Sequence, residues 1–353
     1  MNPQVKFNNA NALFSKTLKQ KTNLYFQNSE KNKTGDFRLF LKTAILLTSL
    51  ATLYCLLFFA DLHVAINVVL SVLLGLNFAA IGFNVMHDAG HNSFSQNKTV
   101  NTIFSYTLNL LGGNIYFWKM KHNIAHHTYT NIDGEDPDIE IKFMRIHQDQ
   151  QLKKHHKYQK IYFIFLYGIS YMAWIFYQDY EKYFKQRMGK QNVKFSFPLK
   201  AKIIFWVSKL VHVMLFVIIP ILAAGVIKAL LCLLIGFIVC GLCLAIVFQL
   251  AHVVEQTDFK TLEENKIQEE WMVHQLRSTA NFSTKNPVLT WLLGGLNFQV
   301  EHHLFPKISH VHYPALNKII RETCLANNIA YFEYPSIFQA FKSHFNVIKL
   351  MSR

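Results

Sequence analysis

The sequence predicts an all-α integral membrane protein: four transmembrane helices in two hairpins, interfacial helices between them, and a cytoplasmic helical cap. Three observations predict it. Half of the 353 residues are apolar and only 16% are charged, unusually few for a soluble protein. Several apolar runs reach the roughly 20 residues needed to cross a bilayer. Lys and Arg, which give a formal net charge of +15, avoid the two short turns between runs and crowd the remaining polar segments. That asymmetry reports membrane topology and points away from nucleic-acid binding.

Residues 1–37 are polar and basic, with Lys16, Lys19, Lys21, Lys31 and Lys33. They read as a partly helical cytoplasmic arm along the membrane surface, with no signal peptide. Residues 38–330 form the membrane domain, and 331–353 a cytoplasmic C-terminal tail. The first span covers 39–60, roughly 33 Å of helix, with Lys42 placed to snorkel to the headgroups. The turn Asp61-Leu-His63 returns the chain through a second span, 64–86. Spans three and four, 203–225 and 229–253, make the second hairpin, with Lys228 the only charge between them. The apolar stretch 103–116 is too short to cross and reads as interfacial or re-entrant. Residues 161–177 read as a surface helix or shallow insertion, and the basic loop 141–160, with His147, His155 and His156, as solvated. The positive-inside rule then puts both termini and the polar segments in the cytoplasm. Of the five Cys, Cys240 and Cys243 are spaced as CxxC, but inside an apolar helix they are packing residues.

Histidine carries the chemistry. His122, His126 and His127 fall within six residues. On an α-helix His122 and His126 share a face, and His127 sits about 100° further round. His87 and His91 repeat the i, i+4 spacing at the exit of the second span. Gln299-Val-Glu-His302-His303 forms a third cluster, with Gln299 three residues before His302. His252 ends the fourth span, and the predicted topology delivers it to the same membrane face. His212, inside the third span, reads as packing; His310 and His312 read as part of a turn. The acidic run 133–140 is either a turn, which Gly134 and Pro137 favour, or a source of carboxylates that orient imidazoles through their second N–H.

One transition metal takes about four to six ligands, so seven or eight imidazoles imply two metals. Structural zinc usually takes four ligands and often Cys. A mainly imidazole shell at the membrane face suits a non-haem di-iron centre that activates O2, beside which a lipid chain would lie.

With these residues in view, the chain resembles the membrane fatty acid desaturase family. The likeness rests on three His boxes around two membrane hairpins: His87-Asp-Ala-Gly-His91, His122-Asn-Ile-Ala-His126-His127 and Gln299-Val-Glu-His302-His303. Gln299 opening the third box, with Asn297-Phe298 and Leu304-Phe-Pro306 around it, is similar to the front-end desaturases, which insert a double bond between an existing one and the carboxyl end. The resemblance covers about residues 37–330. Three residues between His122 and His126 match bacterial acyl desaturases better than many eukaryotic relatives, and the fused cytochrome-b5-like domain of many front-end enzymes has no counterpart here.

The resemblance implies an O2-dependent acyl desaturase with two Fe, held by His87, His91, His122, His126, His127, His252, His302 and His303. Gln299 would bind metal directly or hold a metal-bound water, and Asp88 and Glu301 would orient the ligands. A separate electron donor, a ferredoxin or small cytochrome, is implied, as is an acyl substrate carried by coenzyme A, acyl-carrier protein or a glycerolipid. A membrane di-iron hydroxylase acting on a lipid, alkane or carotenoid is the alternative, and only Gln299 favours desaturation. A metal transporter would need ionisable residues within the spans, which are nearly clean.

Overall fold

The computed structural model describes residues 5–10, 12–188, 193–261 and 266–353. The parts of the expected N-terminal arm at 1–4 and 11 lie outside the described residues. The chain is mostly helical. Helix α1 spans Leu13–Ser29. Five helices are long and apolar enough to cross a membrane among the described residues: α2 (Phe37–Phe59), α3 (Val64–Gly90), α5 (Lys154–Lys185), α6 (Leu199–Ala224) and α7 (Val226–His252). Between α3 and α5 lies α4 (115–129), which carries the central His cluster.

Helix α7 is the axis of the bundle and packs against both α3 and α5. Glycines set those crossings. A Cβ on Gly75 would fall 2.3 Å from the Gly236 carbonyl oxygen, and one on Gly241 would fall 2.5 Å from the Gly168 carbonyl oxygen. Small residues let membrane helix backbones approach this closely, where packing must replace the hydrophobic driving force.

Helix α5 is longer than the surface helix or shallow insertion expected at 161–177 and is a fifth candidate span. The apolar stretch 161–177 continues at both ends, through charged residues, into a helix of 32 residues. Asp179 is tolerated because Lys209 of α6 reaches it at 3.1 Å and also donates to the carbonyls of Gly112 (2.6 Å) and Ile175 (2.8 Å). Ile175 lies in a π-helical turn, Trp174–Gln178, and such turns interrupt the regular α-helical bonding that would otherwise satisfy the carbonyl.

The cap is built by α8 (Trp271–Ser278), α9 (Gln299–Leu304), α10 (Tyr313–Ala326) and α11 (Ile337–Leu350). The expected surface arm belongs to it: α1 packs against α8 and α10. Phe14, Leu18 and Phe26 enter the same apolar cluster as Leu276, Leu316 and Ile320, each contributing about 1.5–3 kcal/mol of burial. A parallel pairing of Lys6–Phe7 with Lys266–Ile267 ties the arm down further. The expected tail is likewise docked. His344 of α11 donates from Nδ1 to the Val253 carbonyl at 2.7 Å and meets the Tyr167 hydroxyl at 2.9 Å. The loop 141–160 is less solvated than expected: His147 is buried and stacks on Phe259.

Candidate metal centre

Four elements converge: the ends of α3 and α7, the second half of α4 and the short helix α9. Helix α3 changes to π geometry at Gly82–Met86, just before His87. Helix α4 does the same over Lys119–His126. The wider turn changes which side chains meet. The amide of His127 bonds to the His122 carbonyl, an i→i+5 contact, and the two Nε2 atoms come within 3.2 Å. The α-helical reading paired His122 with His126. In the π turn His127 joins His122, while His126 turns toward His252 and His303.

Three overlapping groups of imidazoles result, each with a ring nitrogen from every member within 4.8 Å of the others: His87, His91, His122 and His302; His126, His252 and His303; and His127, His302 and His303. His127 lies between the first two, its ring 4.5 Å from that of His302 and 4.4 Å from that of His303. The eight predicted His are all buried here. His212 is elsewhere, with Nδ1 donating to the Leu110 carbonyl. His310 sits in a single 3-10 turn with His312, as expected.

The far side of several rings is held by a hydrogen-bonding group. His126 Nδ1 donates to Asp136 at 2.9 Å, His252 Nδ1 to the Ser278 carbonyl at 3.2 Å, and His303 Nδ1 to Gln275 Oε1 at 2.9 Å. His302 Nδ1 meets the Tyr313 hydroxyl at 3.1 Å. Each contact leaves Nε2 facing inward with its lone pair. The Nε2 atoms of His91, His126, His302 and His303 are buried without a hydrogen-bond partner. A buried polar atom left unpaired costs about 1–3 kcal/mol, so their convergence fits metal coordination far better than packing. Gln299 Nε2 lies 3.2 Å from His252 Nε2, and its Oε1 has no partner.

Electrostatics agree. Burial, reinforced by neighbouring imidazoles, holds His91, His127, His302 and His303 well below the ordinary His pKa. Burial also pulls His122 down to about 4 against the pull of Asp138. His126 is the exception: burial opposes its charge, but Asp136 and Asp138 outweigh it and raise its pKa. Neutral imidazoles keep the lone pairs that metal binding requires.

The expected orienting residues do something else. Asp88 accepts from Ser309 Oγ at 2.6 Å and His310 Nδ1 at 3.0 Å, and His310 Nε2 lies 3.1 Å from Lys42. One residue on from His87, it faces away from the cluster and ties the cap to α3. Glu301 is pushed up to about 7 by burial and bonds Asn281, Asn317 and Tyr331. Orientation falls instead to Asp136, from the acidic run where it was one of two readings, and to Gln275 and Tyr313, which carry no sequence signal. Lys42, expected to snorkel, is buried between Asn84, Trp291 and His310.

Residues 63–335 match the fatty acid desaturase family. Among curated proteins, the chain is 31% identical to the sn-1 linoleoyl-lipid 6-desaturase of Synechocystis over 96% of each chain. It is 31% identical to the enzyme of that name from Arthrospira platensis, covering 96% of this chain and 92% of the relative. It is 32% identical to the acyl-lipid (8-3)-desaturase of Physcomitrium patens, covering 95% of this chain and 71% of the relative. With its spanning helices, its converging imidazoles and a match over most of its length, the chain belongs to the fatty acid desaturase family.

Proposed function

We propose that the chain is an O2-dependent front-end desaturase acting on glycerolipid acyl chains that already carry a double bond. The observation that carries the reading is the convergence of eight buried His, four of them with an unpartnered Nε2, into overlapping groups. His87, His91, His122 and His302 would hold one iron and His126, His252 and His303 the other, with His127 between them and Gln299 beside His252. When bound, the iron pair supplies the O2-dependent oxidation, fed by two electrons from a separate donor, that removes two hydrogens from neighbouring methylenes. The protein's own part is to keep the imidazoles neutral, fix their tautomers through Asp136, Ser278 and Gln275, and exclude water. The substrate class follows the relatives, which are named for acyl-lipid chemistry.

Four crossings are part of the proposal. Box one ends α3 and His252 ends α7, and both enter one cluster, so an even number of crossings must separate them. Three candidate helices lie between. Only Gly225 separates α6 from α7, which pack together as a hairpin. Helix α5 begins near Arg145 and Ile348, both bonded to Gln159, and ends at Tyr183 against Phe197, beside Phe117 of α4. This supports α5 keeping both ends on the side of the site, as a surface helix or shallow insertion, and the distribution of Lys and Arg supports a cytoplasmic side for the site and both termini.

The test is lipid profiling by mass spectrometry after expression in a host lacking polyunsaturated fatty acids and supplied with linoleoyl lipids. A new double bond on the carboxyl side of the existing one is expected; a hydroxylated product, or unchanged lipids from metal-replete protein with a competent donor, would refute the reading.

A further inference from the structure

Thr130 and Asn131 follow directly on α4, and both are fully buried. Asn131 takes a left-handed φ of 57°, a region closed to most residues and open to Gly and Asn. Its side chain is aimed at backbone. Helix α7 ends at His252, whose carbonyl has no partner within the helix. Asn131 Nδ2 donates to that carbonyl at 2.9 Å, and lies 3.2 Å from the Asp258 carbonyl and 3.3 Å from the Ser278 carbonyl. Three converging carbonyls fix which end of the amide faces them. Oδ1 is left buried without a partner, so the fold keeps this contact despite the penalty of one unpaired polar atom.

The contacts lead to the groups that hold the imidazoles. The Ser278 carbonyl is the acceptor for His252 Nδ1. The Asn131 amide N–H donates at 3.0 Å to Asp136 Oδ2, the oxygen that also accepts from His126 Nδ1. Thr130 Oγ1 lies 2.9 Å from Gln275 Oε1, the acceptor for His303, and 3.2 Å from His303 Nδ1 itself. It also donates to the His126 carbonyl at 2.7 Å. The rings of His126, His252 and His303 come from α4, α7 and α9, yet the acceptors of all three meet at two consecutive residues. His302, in the group with His87, His91 and His122, is held by Tyr313 instead.

We propose that Thr130 and Asn131 are positioning residues for one metal ion only, the one assigned to His126, His252 and His303. Both act through the groups that hold the rings. A ring whose acceptor shifts loses its aim, and outer contacts of this kind are worth about 10–100-fold in metal affinity. Asn suits position 131 on two counts: the backbone needs a residue that accepts positive φ, and the three carbonyls need an amide. The proposal rests on the two-metal reading of the cluster.

The full chain is purified, loaded with cobalt(II) and titrated with a chelator, bound cobalt being followed by visible absorption and elemental analysis. Asn131→Gly keeps the left-handed backbone and the N–H to Asp136 but removes the amide. One of the two ions should bind about 10–100-fold more weakly and the other at the parental affinity. The weakened ion should be the one that His126→Ala removes and His87→Ala spares. Thr130→Val, close in shape but without the hydroxyl, should weaken the same ion. Thr257→Val is the comparison. It too removes a donor to the His252 carbonyl, at 2.8 Å, but touches none of the ring holders; it should lower the melting temperature and leave both affinities parental. Equal weakening of both ions would mean general damage, and parental affinities in both Asn131→Gly and Thr130→Val would mean simple packing; either result overturns the proposal. Selective weakening in a protein that desaturates no lipid would uphold the positioning role while refuting the function proposed above.

Discussion

His122 and His127 face each other Nε2 to Nε2 across 3.2 Å, five residues apart on a helix widened to π geometry. On the proposed reading both nitrogens serve the metal centre. His127→Ala and His122→Ala should each lower bound metal from two per chain to one or fewer, measured by elemental analysis of purified protein. His155→Ala, at the exposed N-terminal turn of α5, should keep the parental content. Parental metal in His127→Ala would remove it from the ligand set.

His252 and His212 contrast a proposed ligand with a packing residue. Both are buried on spanning helices, but His252 Nε2 faces the site beside Gln299 and His212 bonds only a backbone carbonyl. Activity should vanish in His252→Ala and largely survive in His212→Ala. Equal, mild losses in a lipid-product assay would return His252 to packing.

Asp136 should matter through His126. Asp136→Asn keeps the shape but loses the charge that fixes the Nδ1–H tautomer, and metal affinity should fall about 10–100-fold. Asp88→Asn should instead loosen the contact to Ser309 and His310, lowering thermal stability with little change in metal affinity. Chelator competition and thermal melts, run on both variants, distinguish the two roles.

Gln299→Ala should lose most activity on acyl chains with an existing double bond, and Gln299→His should bind iron yet work poorly. The amide oxygen has no partner and the nitrogen lies against His252, so an extra imidazole there would change the shell. Normal turnover by Gln299→Ala would reduce it to a structural amide.

His344 predicts a pH dependence of stability. Burial lowers its pKa to about 4 from an ordinary value of 6.5. Between these values the unfolded chain binds a proton that the folded chain refuses. Stability from this site is therefore full above about pH 6.5 and falls as pH drops toward 4, by up to about 3 kcal/mol. His344→Asn should flatten that part of the stability profile in denaturant titrations. An unchanged slope would mean that other groups carry it.

The sequence by itself determined the helical membrane class, the two hairpins around His-bearing segments and all eight imidazoles of the cluster. Each depends on local quantities: run length, charge placement and residue type at short spacing. Tertiary structure decided the rest. The pairing of Asp179 with Lys209, from a separate helix, accommodates a carboxylate at the C-terminal end of α5 that run length alone could not foresee. That His127 meets His122 while His126 turns toward His252 and His303 depends on a π turn that no spacing rule announces. Asp88 and Glu301, adjacent to ligands in sequence, point elsewhere because neighbours on a helix diverge by about 100°. Gln275 and Tyr313 hold the rings from segments whose approach only the folded cap brings about.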